Sequence, residues 1–279
     1  MTNQELINRL VQRFSKFEQV EGITLAGSMA FNTSDENSDL DIDVYITKEI
    51  PPEERKKIAE EFADYMEINN TFWGPGDEWK LKNSLTSVDI IYLDINWIND
   101  HMRNVIDKHE AWVGYTTCFW HNVVDSKILY DKNNILEELQ DKYTTKYPVE
   151  LKQNIIAKNY PILRDNMSSY YYQIDKALKR EDYISINHRV AALFASYFDI
   201  LFAINEIRHP GEKKLIKIIN NTCRLIPENM EENITNILKN CALVNNEILN
   251  DISKLIDNLD DLLKEQKLLN PLPFKANVK

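Results

Sequence analysis

A chain of 279 residues, 43% hydrophobic and 28% charged, can bury a core without disulfide or metal staples and is too apolar to be disordered. Its 6 glycines, against about twenty at ordinary usage, exclude a β-propeller, a glycine-rich linker array and a fibrous repeat. The net charge of −11 sits in the front half, where residues 1–145 hold 14 Lys and Arg against 27 Asp and Glu, while residues 146–279 hold 19 against 17. An acidic half is a poor footprint for nucleic acid. It suits a divalent cation, a cationic small molecule, or simply a solvated surface.

Gln4 to Phe17 places Leu6, Ile7, Leu10, Val11, Phe14 and Phe17 at helical spacing. A short strand, Ile23 to Ala26, leads into a Gly27-Ser28 turn, with Ser28 positioned to cap a turn over Met29–Phe31. The polar stretch Asn32 to Asn37 reads as loop. From Asp39 the pattern alternates, with Leu40, Ile42, Val44 and Ile46 on one face and Asp39, Asp41, Asp43 and Tyr45 on the other, which is a strand with one buried face. Pro51-Pro52 opens a helix expected to reach Met66, and Thr71 to Trp79 reads as a loop around Gly74-Pro75-Gly76. Ser87 to Leu93 is a further strand, with Asp94 as cap of a helix over Trp97–His109. Lys127 to Asp131 reads either as an edge strand or as a helix-to-loop crossing.

After about residue 133 the strand signals stop. Helical periodicity runs through 135–143, 149–160, 164–179, 183–207, 213–222, 231–240 and 243–267, with an extended tail from Pro271. Five of the six glycines precede residue 115, in keeping with this division. The expected fold is α+β, a small mixed β-sheet domain with flanking helices over residues 1–133, followed by an all-α helical bundle over 134–279 that forms the other wall of a cleft. The first residues, MTNQELINRL, lack a basic segment followed by an apolar one. Three cysteines (Cys118, Cys223, Cys241) have no CxxC spacing, and no apolar run suffices to span a bilayer, so the expectation is a cytoplasmic protein without a membrane partner. The sequence leaves a homodimer open.

The chemistry-bearing constellation is Gly27-Ser28, a ten-residue gap, Asp39-Leu40-Asp41, and Asp89 in a later apolar strand. Residues i and i+2 of a strand point the same way, so Asp39 and Asp41 project together. Two carboxylates that close raise each other's pKa unless a cation lies between them, and an oxygen-loving ion such as Mg2+ resolves the conflict. If the Asp89 strand lies beside the Asp39 strand, three carboxylates converge. Asp43 extends the same face, which makes Asp41/Asp43 an alternative pair.

The stretch LAGSMAFNTSDENSDLDIDVYI resembles the signature of the polymerase-β-like nucleotidyltransferase superfamily, in which Gly-Ser follows a strand and an Asp-hydrophobic-Asp pair comes about a dozen residues later. Asp89 takes the place of the third acidic residue. In overall plan the chain is similar to bacterial antibiotic nucleotidyltransferases of the aminoglycoside and lincosamide types, and Leu201–Leu215 (LFAINEIRHPGEKKL) is similar to a stretch in their helical part. The sequence departs from the commonest pattern where many members carry a second glycine, since Phe31 or Asn32 stands there.

The resemblance implies transfer of a nucleoside monophosphate from an NTP, ATP foremost, to a hydroxyl of a small and possibly cationic acceptor, with release of pyrophosphate. It also implies two Mg2+ ions on Asp39, Asp41 and Asp89, with Asp89 as base or metal ligand and Gly27-Ser28 cradling the triphosphate. Lys213 and Lys214, in the turn Arg208–Lys214, are candidates for contacting triphosphate oxygens, against the plainer reading of a turn with surface charges. Trp73, Asp77, Glu78 and Trp79 are either a platform for a cationic acceptor or a partly buried loop. The alternatives to a small acceptor are a protein or RNA acceptor, as in toxin-type enzymes, and a catalytically silent nucleotide sensor.

Overall fold

A computed structural model describes residues 2–27, 39–72, 74–82 and 86–269. The fold is α+β. The chain divides into two compact units: a sheet unit, Met1–Asp107 with Phe119–Lys146, and a helical unit, Lys108–Cys118 with Tyr147–Lys279. This division differs from the sequence boundary at residue 133, because α5 (Ile135–Tyr143) packs on the sheet, with Leu136 against the Cα of Gly22. The expectations for Ser28, for the turn over 29–31, for the loop over 32–37, for Trp73 and for the tail from Pro271 lie outside the described residues.

In the sheet unit, α1 (Asn3–Phe14) starts at a capping box, in which Thr2 Oγ1 accepts from the Glu5 amide and Glu5 accepts from the Thr2 amide, and it buries Leu6, Ile7, Leu10 and Phe14. The six strands among the described residues are β1 (Val20–Leu25), β2 (Leu40–Ile46), β3 (Ala63–Asn70), β4 (Gly76–Leu81), β5 (Ser87–Asp94) and β6 (Lys127–Asp131). They lie in the order β3-β4-β5-β2-β1-β6. β2 and β5 are parallel, and the other pairs are antiparallel. One face carries Leu40, Ile42, Val44, Val88, Ile90 and Tyr92, and forms a single core with α1 and α2 (Pro52–Phe62). Lys127–Asp131 is thereby settled as an edge strand paired with β1.

Two expectations are corrected here. The helix from Pro51 ends at Phe62 rather than Met66, and the loop expected over 71–79 gives way to a strand at Gly76. β3 and β4 form a hairpin whose inner positions are Met66, Ile68, Asp77, Trp79 and Leu81. The sequence hides this hairpin because its inner row contains a carboxylate, which breaks the apolar alternation. Asp77 is buried there and satisfied on every side. Arg55 donates to it (3.1 Å), as do the Asn69 amide (2.8 Å) and the Tyr92 hydroxyl (2.6 Å). The Arg55 guanidinium also lies 4.6 Å from the centre of the Tyr92 ring. Burial is the dominant influence on Asp77 and raises its pKa, while its three partners oppose that rise.

On the far side of β5, Asp94 caps α3 (Ile95–Met102) by accepting from the amides of Asn96 and Trp97, as its sequence position suggested. The helix passes into one π-type turn, Arg103–Asp107. The next helix, α4 (Cys118–Asp125), was not foreseen.

The helical unit contains α6 (Val149–Leu163), α7 (Tyr170–Lys179), α8 (Tyr183–Ile204), α9 (Leu215–Thr222), α10 (Met230–Leu243) and α11 (Glu247–Glu265), packed around one apolar cluster. The helix expected over 164–179 begins only at Tyr170, because the polar stretch Asp165–Ser169 turns instead, with Ser169 N bonded to Asn166 O. The segment 108–118 is pinned within this unit. Asp199, buried on α8, accepts from the Thr116 amide (3.1 Å) and hydroxyl (2.7 Å), and Asn159 on α6 accepts from the Gly114 amide (3.0 Å) and donates to the Trp112 carbonyl (2.9 Å). Among the described residues no helix is long and apolar enough to cross a membrane.

Two outcomes follow. Arg55→Ala leaves the Asp77 carboxylate buried and uncompensated, so urea denaturation should report a loss of about 3–5 kcal/mol, and a loss below about 1 kcal/mol would contradict the pairing. Burial raises Asp199 from the ordinary 3.8 to about 6, against the opposing bonds from Thr116 and Asn159. The folded state therefore holds this proton more tightly than the unfolded chain, so the stability linked to it is present below pH 4 and lost as pH rises to about 6, by up to about 3 kcal/mol. Asp199→Asn should flatten the stability–pH slope in that window relative to wild type, and an unchanged slope would exclude Asp199 as its source.

Candidate functional site

In an open pair of parallel strands, register partners stand side by side on the same face. The β2–β5 register pairs Leu40 with Val88 and Asp41 with Asp89, so the two carboxylates are direct neighbours on the face opposite the apolar core. Both are half-buried. The same row continues outward, because Glu78 on β4 pairs with Asp89 and Glu67 on β3 pairs with Glu78. Asn70 ties the outer two together, donating to Glu78 (2.9 Å) and Glu67 (3.4 Å). Four carboxylates thus cross four adjacent strands.

Gly27 meets this row at its inner end. The Ala26 amide donates to the Asp41 carbonyl (3.0 Å), which carries the β1–β2 pairing one residue past β1. Gly27 then has φ 61°, and a Cβ on it would occupy the space of the Asp41 carboxylate. Only glycine lets the backbone lie that close to Asp41 while adopting this conformation. Gly27, Asp41 and Asp89 are therefore brought together. Asp39 lies one residue before β2 and is half-buried, and Ser28 is outside the described residues.

Asp43 is the next member of the face and is buried. Burial raises its pKa to about 7, the nearby Asp41 charge adds to the rise, and a 2.7 Å bond from Asn122 Nδ2 opposes it. Asn122 went unread in the sequence. The detectable signal was a polar stripe: Asn122 and Ser126 lie four apart on or just beyond a short apolar helix, and Ser126 lies within hydrogen-bonding reach of the Tyr45 hydroxyl, on the same face of β2 as Asp43.

The donor set fits Mg2+ in kind. Asp39, Asp41 and Asp89 offer only hard oxygen ligands, and Mg2+ is ordinarily held by one or two carboxylates together with waters and substrate phosphates rather than by a complete protein cage. Among the described residues, which include all three of these, no group of three His, Cys, Asp or Glu side chains is placed to hold a metal ion together.

The remaining candidates separate by unit. Asp77 and Trp79 are buried in the sheet unit, which decides for the buried reading over the ligand platform, with strand in place of loop. Lys213 and Lys214 belong to the helical unit, exposed in the turn before α9. His209 of that turn is fully buried. Its ring lies 5.0 Å from that of Tyr115 and 4.8 Å from that of Phe202, its Nδ1 accepts from the Gly211 amide (3.1 Å), and its own amide donates to Thr117 Oγ1 (2.8 Å). It is structural rather than a surface cation. Cys118 Sγ lies 3.4 Å from His209 Nδ1, and burial pushes the thiol up to about 12, which keeps it protonated and unreactive.

Three comparisons bear on the chain. A domain of unknown function (DUF4037) matches residues 112–215, from the pinned Trp112 segment to the start of α9. No curated protein matches it. Twelve chains of solved structures match, among them a nucleotidyltransferase-like protein from Exiguobacterium sibiricum, with 10% identity, a TM-score of 0.44, and coverage of 95% of this chain and 76% of that one. So distant a likeness carries no weight for the chemistry, which rests on the site itself.

Gly27→Ala should cost about 1–2 kcal/mol for the left-handed backbone alone, and more once Asp41 is displaced. Urea denaturation measures it, and an unchanged midpoint would mean that Gly27 and Asp41 are not in contact.

Proposed function

We propose that the chain transfers a nucleoside monophosphate from an NTP to a hydroxyl of a small acceptor, releasing pyrophosphate. The observation that carries this reading is the Gly27–Asp41–Asp89 corner, in which a glycine backbone lies against one of two carboxylates paired across parallel strands. These are the residues of the sequence signature that resembles the polymerase-β-like nucleotidyltransferases.

In this reading Asp41 and Asp89, with Asp39, would hold Mg2+, which when bound neutralises the triphosphate and stabilises the attacking and leaving oxygens of an in-line displacement. The chain's own part begins with Gly27, whose lack of a side chain lets the Asp41 carboxylate lie against the backbone. Asp89 stands half-buried between Asp41 and Glu78, and its carboxylate would take the proton of the acceptor hydroxyl or serve as a ligand. Asp43, held by Asn122, follows Asp41 on the same face and is too buried to touch a substrate.

The acceptor class follows from charge. Beyond Asp89 the row continues to the exposed Glu78 and Glu67, a run of carboxylates that favours a cationic, hydroxyl-bearing molecule. Aminoglycoside- or lincosamide-like antibiotics are acceptors of that chemistry. ATP is the first triphosphate to test.

Asp41→Asn and Asp89→Asn should each lower transfer by about 10²-fold or more while circular dichroism shows an intact fold. Mass spectrometry of acceptors incubated with each NTP and Mg2+ reads the added nucleotide. Full activity in either variant would overturn the proposal.

A further inference from the structure

The carboxylate face of the sheet carries one basic residue. Strands β1 to β5 contain a single Lys or Arg between them, Lys80 on β4. Asp77, Trp79 and Leu81 of that strand are buried, whereas Glu78 and Lys80 are exposed, so Lys80 stands on the same face as Glu78.

The strand registers fix its position. Glu78 pairs with Asp89 and Lys80 with Ser87, which makes Lys80 a diagonal neighbour of Asp89. Diagonal neighbours lie about 7–8 Å apart, within reach of a long side chain. Ser87 precedes Val88, the partner of Leu40, so Lys80 lies toward the end where β2 and β5 both begin. β1 runs antiparallel to β2 and finishes at that same end, since Leu25 pairs with Ile42 and the Ala26 amide reaches the Asp41 carbonyl. In the strand order β4-β5-β2-β1, Asp89 and Asp41 therefore lie between Lys80 on one side and Gly27 on the other.

Lys80 has carboxylates nearby and pairs with none of them. The Tyr65 hydroxyl donates to Glu67 Oε1 (2.8 Å), and Asn70 donates to Glu78 Oε1 (2.9 Å) and Glu67 Oε2 (3.4 Å), so neutral donors engage the two outer carboxylates. The Lys80 ammonium lies 5.9 Å from the centre of the Tyr65 ring, and it makes no ion pair among the described residues. Lys82, two residues on, differs in being tied down, with its ammonium donating to the Glu60 carbonyl (2.7 Å).

An ammonium left unpaired on an acidic face is available to an anion. The proposed reaction has one anionic reactant, the triphosphate, because the carboxylate row draws the acceptor as a cation. From β1 to β5, a triphosphate lying over Asp41 and Asp89 would meet no other side-chain cation. Lysine forms strong, charge-assisted hydrogen bonds to phosphate oxygens.

We infer that Lys80 binds the triphosphate of the NTP, holding phosphate oxygens over Asp41 and Asp89 from the side opposite Gly27. This rests on the nucleotidyltransferase reading and adds to it a phosphate-binding residue that belongs to the sheet unit itself, unlike Lys213 and Lys214.

The test is calorimetric titration of the full chain with ATP and with inorganic tripolyphosphate, each with Mg2+. Lys80→Met, which keeps the aliphatic stem without the charge, should weaken both ligands alike, about ten-fold or more. Lys80→Arg should bind both nearly as wild type does, and Lys82→Met, which removes the same charge two residues away, should leave both unchanged. Unchanged affinity in Lys80→Met, a loss confined to ATP, an equal loss in Lys82→Met, or a loss in Lys80→Arg as large as in Lys80→Met each overturns the Lys80 site while leaving the transfer reading in place. A wild-type chain that binds neither ligand overturns both.

Discussion

Partners on adjacent strands share a face, and a slip of one residue would turn every side chain of β2 to the opposite side. The parallel register of β2 with β5 is for that reason the constraint on which the sheet unit depends. It is held by apolar contacts, with Leu40, Ile42 and Val44 sharing a core with Val88, Ile90 and Tyr92 beneath α1 and α2. The opposite face is then obliged to present Asp41 beside Asp89. The carboxylate pair is thus a by-product of hydrophobic registration, and it stays in place because separating it would expose the core.

Buried polar groups do comparable work in both units. Asp77 in the sheet unit would be a defect in the inner row of β4 without Arg55, Asn69 and Tyr92, and with them it fastens the β3–β4 hairpin to α2. Asp199 in the helical unit takes up the amide and hydroxyl of Thr116, while Asn159 serves both Trp112 and Gly114. A buried carboxylate without partners would be strongly unfavourable, so each network specifies one position for the segment it binds. The second network also offsets local strain, since Tyr115 sits at φ 56°, a conformation unusual for a bulky side chain.

Much of this was legible in the sequence. The alternation from Asp39 to Ile46, the helical periods beyond residue 133 and the Asp94 cap are local patterns, set by spacing and backbone preference within a few residues. The β3–β4 hairpin was not legible, because recognising Asp77 as an inner residue requires knowing that Arg55, 22 residues away, reaches it. Asn122 escaped for a similar reason. Its helix is short, and its meaning lies in the strand beneath it.

The sequence by itself determined the elements whose local pattern is unbroken and the residue types able to do chemistry, since periodicity and caps act through neighbouring residues. Which carboxylates meet was decided by tertiary structure alone. Asp41 and Asp89 are 48 residues apart, and nothing local distinguishes Asp89 as the partner of Asp41 until β5 pairs with β2 in parallel. The same holds for the separation of Asp43 from its neighbour. Alternation assigned both to one face, but only packing against α4 buried Asp43 under Asn122 and left Asp41 against Gly27, because burial is a property of what covers a residue and not of the residue itself.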